Sequence, residues 1–177
     1  MITDAADPAD PTDLLARLLA ERDCERLIVT FLHRLDLGEP SSVADLFTAD
    51  GVWEWPEGDR RIEGRDALRD YFGSRPADRL SRRTTSNILV TLESPTLARA
   101  TSYFTTYRVD GWTGGMLPAR LPVNVGHYQD TFHRVGADWQ LAHRVLFLAF
   151  GGPTERLPAP GDVSSPGDVS SAAPPSR

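Results

Sequence analysis

The chain has 177 residues, of which 40% are hydrophobic and 25% charged, a size and composition that predict one globular domain. Its formal net charge of −6, with no cluster of arginines along the sequence, argues against a nucleic-acid-binding protein. A single cysteine, Cys24, excludes an internal disulfide framework and a cysteine-based metal site. The acidic, proline-bearing start does not resemble a signal peptide, and no apolar run is long enough to span a membrane. We therefore expect a cytoplasmic protein.

The first half of the chain predicts mainly helices. Residues 1–11 are acidic and rich in alanine and proline, and we expect them to be flexible. Apolar residues at three- and four-residue spacing predict a helix from Thr12 or Asp13 to Leu35, interrupted or bent at the charged patch 21–23. The remaining elements of this half are a short helix after Pro40, short strands at Val52–Trp55 and Arg60–Glu63, and a third helix at Ala67–Phe72.

The second half predicts strands. Threonine-rich and β-branched segments at Arg82–Glu93 and Leu97–Asp110 predict an antiparallel pair. Glycine and proline in Gly111–Pro122 indicate a mobile loop or lid. In Val123–Phe150 the residue type alternates with a period of two on either side of a turn at Gly136–Asp138, which predicts a long hairpin.

Together these elements predict an α+β domain over residues 12–150. Helices gathered on one side of a strongly curved antiparallel sheet would form a cone, whose open mouth is a natural central pocket. Residues 151–177 are rich in proline, glycine and serine and contain the hexapeptide Pro-Gly-Asp-Val-Ser-Ser twice in succession. This composition cannot bury a core, so we expect a disordered tail.

Several short motifs occur in an order and spacing that resemble one protein family. They are Leu35-Asp36-Leu37-Gly38-Glu39, Asp45–Trp53, Ile62–Leu68, Ser86-Asn87, Gly126-x-Tyr128-x-Asp130 and Trp139-x-Leu141-x-x-Arg144. Over about residues 14–150 the chain resembles the SnoaL-like branch of the nuclear transport factor 2-like superfamily. That family includes polyketide cyclases, scytalone-type dehydratases, dehydrochlorinases, ketosteroid isomerases, limonene-type epoxide hydrolases and the small subunits of aromatic-ring dioxygenases. The resemblance therefore implies a fold without settling a function.

The resemblance also implies where a catalytic base would lie. Many dehydratase-like members pair an aspartate at the end of the first helix with a histidine in an Arg-His-x-x-Ser/Thr-Asn motif. Asp36 matches the aspartate, but Arg83 stands where the histidine belongs. Arginine stays protonated and cannot act as a general base there.

Two interpretations of Asp36 follow. A carboxylate half-buried in an apolar pocket can have its pKa raised and act as a base. If Arg83 pairs with Asp36, the pKa of the carboxylate falls instead and the pair is structural; we slightly favour this ion pair.

A displaced histidine is a second candidate base. His127 and His143 lie on adjacent arms of the final hairpin at roughly similar depths, so they could face one cavity. The alternative is that each is only a hydrogen-bonded or solvent-facing side chain, and the sequence does not decide between the two. No carboxylate lies at an obvious ligand spacing from them, so we predict no metal site.

Aromatic and polar side chains predict the rest of the pocket. Tyr103 and Tyr107 share a strand face, so both can reach inward, where a buried hydroxyl would polarise a carbonyl group. Tyr103 is therefore a candidate catalytic residue beside Asp36, His127 and His143. The candidate substrate-binding residues are Trp53, Trp55, Arg83, Asn87, Tyr107 and Tyr128.

The sequence thus favours a cofactor-independent enzyme acting on a hydrophobic, polyketide-like or aromatic small molecule in secondary metabolism. Proton transfer next to a carbonyl would lead to cyclisation, dehydration or isomerisation, which is lyase or isomerase chemistry. The alternative is a non-catalytic ligand-binding protein or a structural subunit like the dioxygenase small subunit. Because cone-shaped members of the family commonly pair through the outer sheet face, we expect a homodimer. We expect no nucleic-acid or membrane partner.

Overall fold

The computed structural model describes residues 10–159. It contains two α-helices, two short 3-10 helices at Pro40–Leu46 and Pro56–Gly58, and seven strands in one sheet. The elements are α1 (Pro11–Leu37), α2 (Arg65–Gly73), β1 (Phe47–Trp55), β2 (Arg60–Glu63), β3 (Leu80–Ser94), β4 (Leu97–Asp110), β5 (Asn124–Val135), β6 (Asp138–Gly151) and β7 (Glu155–Arg156). Within the described residues no helix is long and apolar enough to cross a membrane.

Helix α1 is one continuous helix. It begins after Asp10, whose carboxylate accepts a hydrogen bond of 2.9 Å from the backbone amide of Thr12 and so caps the first turn. The predicted break at residues 21–23 is wrong. Those charged side chains lie largely on the solvent side of the helix, where Arg22 pairs with Glu25 at 3.2 Å, and they leave the backbone helical.

The sheet has the strand order β2-β1-β6-β5-β4-β3. Most neighbouring strands are antiparallel, as predicted, including the pairs β3–β4 and β5–β6. Two pairs are parallel, β1 with β6 and the short β7 with the end of β4, so the predicted all-antiparallel sheet is wrong for these two pairs. No hairpin turn joins β1 to β6, and nothing local in the sequence therefore fixes their relative direction.

The sheet curls around the helices into a half-barrel, which confirms the predicted α+β cone. Strand β4 shows how the sequence builds the inner wall, because buried side chains alternate along it with more exposed ones. The buried residues that follow this alternation are Ala98, Ala100, Ser102, Phe104 and Thr106, and Val109 near the end of the strand is buried as well. Against this wall packs the second half of α1, where Cys24 and Ile28 are fully buried, whereas the leucines of its first turns remain exposed.

The ordered chain extends past the boundary predicted at residue 150. Gly151 still belongs to β6, and Glu155–Arg156 forms the short strand β7, which pairs with the end of β4 at Val109 and Asp110. Residues 151–159 therefore continue the cone domain, and the disorder expected of the tail stays a prediction. The hexapeptide repeat and residues 1–9 lie outside the described residues.

The segment between β4 and β5 carries no regular secondary structure, in agreement with the predicted loop. Its first residues are tied to the chain before β3: the amides of Gly111 and Trp112 donate hydrogen bonds to Asp78. Farther along, Met116 is fully exposed. A lid role for this loop stays a prediction.

Candidate ligand-binding cavity

A cavity of about 660 Å³ lies inside the cone, between the helices and the concave face of the sheet. This is the size range of small-molecule sites in proteins. Aromatic side chains form much of its wall, from both helices and from strands β1, β4 and β5. They are Phe31, Trp53, Trp55, Tyr71, Phe72, Phe104 and Tyr128.

The aromatic wall is built from pairs of rings that hold each other in place. Trp53 and Tyr71 lie 5.2 Å apart between centroids, and Phe104 stacks on Tyr128 at 4.5 Å. Tyr128 is almost completely buried, and this burial raises the pKa of its hydroxyl. Of the predicted substrate-binding residues, Trp53, Trp55, Arg83 and Tyr128 do line the cavity.

Trp55 contributes a polar group as well as a ring. Its indole Nε1 is buried and has no hydrogen-bond partner among residues 10–159. The ring lies against Gly58, where a Cβ atom would come within 2.2 Å of Cε3. A buried donor without a partner is costly, so an acceptor supplied by a ligand would be favourable here.

Asp36 lies near the end of α1 and is clamped by β3. Its carboxylate accepts hydrogen bonds from the Arg83 backbone amide at 2.5 Å, from the Ser81 hydroxyl at 2.8 Å, and from the Arg83 guanidinium. The Asp36 and Arg83 side chains are only 6% and 9% exposed. The ion pair that the sequence leaves open is therefore formed, and protein donors occupy three of the roughly four acceptor positions of the carboxylate.

Arginines form the polar part of the cavity wall. Five of them line it, namely Arg60, Arg75, Arg79, Arg83 and Arg108. Arg79 makes a two-pronged ion pair with Asp110, with distances of 2.7 and 3.0 Å. By contrast, Arg75 donates to the Ser81 hydroxyl at 3.0 Å and Arg108 to the Thr154 hydroxyl at 2.7 Å, and within residues 10–159 neither forms an ion pair with a carboxylate.

These two guanidinium groups are cations in an unfavourable environment. Burial, followed by the positive charge of Arg83, lowers the pKa of Arg75 to about 10. Burial also lowers the pKa of Arg108, with a further contribution from Arg79. Both remain protonated near neutral pH, so the cavity presents positive charge that the surrounding chain only partly balances.

The structure does not bring the two predicted histidines together. His127 pairs across the hairpin with Phe147, on which its ring stacks at 4.9 Å, whereas His143 pairs with Thr131, four residues farther along β5. His143 Nε2 lies 2.9 Å from Glu54 Oε2. Neither lines the cone cavity, so the prediction that they face one cavity is wrong. With Tyr128 inward, the period of two turns His127 outward.

Tyr103, Tyr107 and Asn87 are also placed outside the cavity. The two tyrosines share a strand face, as predicted, but it is the outer one, and their side chains are 55% and 38% exposed. The inner face of β4 is taken by Phe104 and Thr106. Asn87 is exposed with φ of +51° beside a register shift in β3, a β-bulge position that asparagine tolerates well.

Sequence reasoning missed most of the polar wall. Arg108 follows Phe104 and Thr106 at every second position and therefore faces inward, which is a signal that periodicity could have given. Arg75 and Arg79 lie in the loop after α2, where no period applies. Their proximity to Arg108 depends on the curl of the sheet.

A second buried ion pair lies at the closed end of the cone. Arg144 of β6 and Asp130 of β5 are both fully buried and make two parallel hydrogen bonds of 2.7 Å each. The guanidinium carbon also lies 4.2 Å from the ring centroid of Phe31 and 4.5 Å from that of Tyr128. The pair therefore orients two of the aromatic rings that line the cavity.

The described part of the chain contains no cluster of potential metal ligands. Among residues 10–159, no group of three or more histidine, cysteine, aspartate or glutamate side chains is arranged to hold a metal ion.

Residues 16–145 match the family model of the SnoaL-like domain. The chain belongs to the SnoaL-like family. This match covers most of the cone. It includes most of α1 with Asp36, all of α2, and the strands that carry Arg83, Arg108 and Tyr128. No functionally curated protein matches the sequence of this SnoaL-like protein.

Solved structures share its fold at low sequence identity. One is a protein of Novosphingobium aromaticivorans provisionally assigned as a scytalone dehydratase, with 24% identity over 76% of this chain and 87% of that one, and a TM-score of 0.62. A second is an NTF2-like protein with a cystatin-like fold from the same organism, with 24% identity, coverages of 82% and 94%, and a TM-score of 0.64. A third is ActVI-ORFA of Streptomyces coelicolor, with 18% identity, coverages of 75% and 97%, and a TM-score of 0.62. At these identities the similarity shows the fold alone.

Proposed function

We propose that this SnoaL-like protein binds a hydrophobic, aromatic or polyketide-like small molecule inside its cone. The observation that carries the proposal is the cavity of about 660 Å³ whose wall is formed largely by aromatic rings. Flat ring systems stack well on such walls, and the buried apolar surface supplies most of the binding free energy.

We further propose that this protein does not use the catalytic aspartate–histidine pair of dehydratase-like relatives. The Asp36 carboxylate already accepts three hydrogen bonds from Ser81 and Arg83. The described residues that line the cavity include no histidine, aspartate or glutamate. A ligand-binding role without a side-chain general base therefore accounts best for the arrangement.

Ligand binding can be tested by titrating aromatic ketones such as 2-acetonaphthone and following tryptophan fluorescence. The Leu148 side chain lines the cavity, whereas its neighbour Phe147 stacks on His127 outside it. We expect Leu148→Trp to fill the cavity and weaken binding about tenfold or more, and Phe147→Trp to leave affinity nearly unchanged. Equal affinities for both variants would refute binding inside the cone.

A second candidate is a lyase or isomerase, and the cationic wall favours it. Arg75 and Arg108 could stabilise an enolate formed from a carbonyl substrate that is acidic enough to lose a carbon-bound proton to water. Fold relatives include a provisionally assigned dehydratase and ActVI-ORFA. Under this candidate the protein would accelerate hydrogen–deuterium exchange at the carbon between two carbonyls of a 1,3-diketone. An exchange rate equal to that in buffer would exclude it for that substrate class.

The exchange assay also tests the bases that the sequence suggests. If Asp36, His127 or His143 removes the proton, then Asp36→Asn or the double change of both histidines to glutamine abolishes the acceleration. If the arginine wall acts through solvent, the histidine variant retains it. Loss in the histidine variant alone assigns a histidine as the base, whereas retention in both variants, with circular dichroism verifying that Asp36→Asn is folded, assigns solvent.

We also propose that the protein forms a homodimer through the outer face of the sheet. That face carries large exposed side chains, among them Leu89 at 66% and Tyr103 at 55% exposure. Light scattering measures the molecular mass in solution, and the mass of a monomer would contradict the proposed homodimer.

A further inference from the structure

Two of the cavity arginines are each adjacent to Ser81. Arg108 on β4 lies directly opposite Ser81 on β3. The hydroxyl of Ser81 accepts a hydrogen bond from Arg75, which comes from the loop after α2. Elements that are remote in sequence therefore bring two guanidinium groups to the same level of the cone wall, both lining the cavity.

We propose that Arg75 and Arg108 form an anion-binding subsite, so that the ligand of this protein is an aromatic molecule carrying a carboxylate or another oxyanion. This inference rests on the proposed ligand-binding function and names the class of the ligand. The aromatic body would lie against the rings of the wall, and the oxyanion would lie between the two guanidinium groups.

The pattern of ion pairs supports the choice of these two residues. Arg79 and Arg83 are neutralised by Asp110 and Asp36. Arg75 and Arg108, in contrast, each donate only to a hydroxyl, and within residues 10–159 neither forms an ion pair, so Asp36 and Asp110 offset their charges only from a distance. Arg60 also lacks a carboxylate partner in that range, but it is exposed and donates to the Tyr71 hydroxyl at 3.2 Å.

Electrostatics favour an anion at this position for the same reason. Charged side chains taken out of water are rarely stable unless a counter-charge accompanies them. The pKa of each of the two guanidinium groups is lowered first by burial and then by neighbouring arginines, so positive charges repel one another along this wall. A bound oxyanion would attract both guanidinium groups and so offset the repulsion between the positive charges.

The geometry of the guanidinium group indicates what kind of anion fits. Its parallel N–H groups match two oxygens of one carboxylate or phosphate group and form charge-assisted hydrogen bonds that are stronger than neutral ones. Neighbouring hydroxyls of Ser81 and Thr154 already hold the two side chains in place. The site is therefore partly preorganised for an oxyanion.

The test compares ligands that differ only in charge. We would titrate the full-length protein with 2-naphthoate and with 2-naphthamide, which share the same ring system, and measure affinity by calorimetry. We expect 2-naphthoate to bind about tenfold or more tightly than the amide and to lose affinity as salt is raised. A third probe, 2-naphthyl phosphate, distinguishes a phosphate ester from a carboxylate as the preferred anion.

Variants locate the effect. Arg75→Met and Arg108→Met should each reduce the preference for naphthoate to about twofold or less, whereas Arg75→Lys should keep part of it. The matched control is Arg99→Met, because Arg99 lies on the same strand as Arg108 but is exposed and pairs with Glu93 at 2.8 Å. Circular dichroism and a melting curve for each variant verify that it is folded.

The outcomes separate the two proposals. Equal affinity for naphthoate and naphthamide overturns the anion subsite while leaving the aromatic cavity intact. A preference that survives both methionine variants also overturns it. Binding of neither probe contradicts the proposed ligand-binding function for this ring system, and the anion subsite falls with it.

Discussion

Arg83 holds the carboxylate of Asp36 from two directions, with its backbone amide on one oxygen and its guanidinium on the other. An arginine at this position therefore does more than replace a histidine, because it engages the aspartate that the histidine would have used. The two residues belong to α1 and β3, and their pairing fixes the end of the helix against the sheet.

The first prediction concerns this pair. Asp36→Asn removes the negative charge and leaves the Arg83 guanidinium buried without a counter-ion, so we expect a loss of about 3–5 kcal/mol in the free energy of unfolding. Urea denaturation followed by circular dichroism measures it. Glu93→Gln is the control, because it breaks the exposed pair with Arg99 and should cost less than about 1 kcal/mol. Similar losses for the two variants would show that the buried pair is not structural.

The second prediction is that Arg75 reduces the stability of the ligand-free protein. Its pKa is lowered to about 10, which means that the folded state disfavours the charged form. Replacing it with methionine removes the charge and keeps most of the apolar stem. We expect the melting temperature of Arg75→Met without ligand to be unchanged or a few degrees higher, as at other sites where function is maintained at the expense of stability. A lower melting temperature would indicate that Arg75 is structural.

The third prediction concerns Cys24, which is fully buried on α1. Burial raises the pKa of its thiol to about 12, from an ordinary value near 9. We expect no reaction with a thiol reagent at pH 8 in the folded protein and complete reaction in denaturant. Because the thiol ionises more easily when unfolded, its contribution to stability is complete below about pH 9 and is lost as pH rises toward 12. Rapid labelling of the folded protein at pH 8 would contradict this burial.

The fourth prediction tests the wall of the cavity at Trp55. A Cβ atom at position 58 would lie 2.2 Å from the Trp55 ring, so Gly58→Ala must displace the indole. We expect weaker binding of aromatic probes and a shifted tryptophan emission, with little change in the far-ultraviolet circular dichroism. Gly114→Ala is a useful comparison, because nothing lies within 4 Å of its Cβ position, although its φ of +124° is strained for alanine. Unchanged affinity in Gly58→Ala would mean that Trp55 does not contact the ligand.

The sequence was sufficient to predict the architecture because its main signals are local. The alternation along β4 and β5 gave strands with bounds close to those observed, and turn residues gave the hairpins. The wrong strand directions, of β1 with β6 and of β7 with β4, concern pairs with no connecting turn. Periodicity also separates two faces without stating which is inward, and this is why Tyr103 and His127 were expected inside the cone.

Apart from the inward position of Arg108, the arginine wall could not have been found from periodicity. Arg75 and Arg108 are separated by two strand-forming segments, and neither lies in a recognisable motif. The arginines are not clustered along the sequence, but they can still be clustered in space. The curl of the sheet brings residues from distant elements close together. Asp36 and Arg83 were singled out only because the resemblance to the family drew attention to those positions.

The segment after β6, which contains the short strand β7 paired with β4, has a practical consequence for protein engineering. Thr154 anchors Arg108, and Gly151 and Gly152 line the cavity, so the sequence-based boundary at residue 150 cuts through the cavity wall. A recombinant version trimmed to that boundary would keep the cone but release Arg108 and lose the strand that closes the end of β4. Truncation after Ala159 would preserve both the Thr154 contact and the short strand β7.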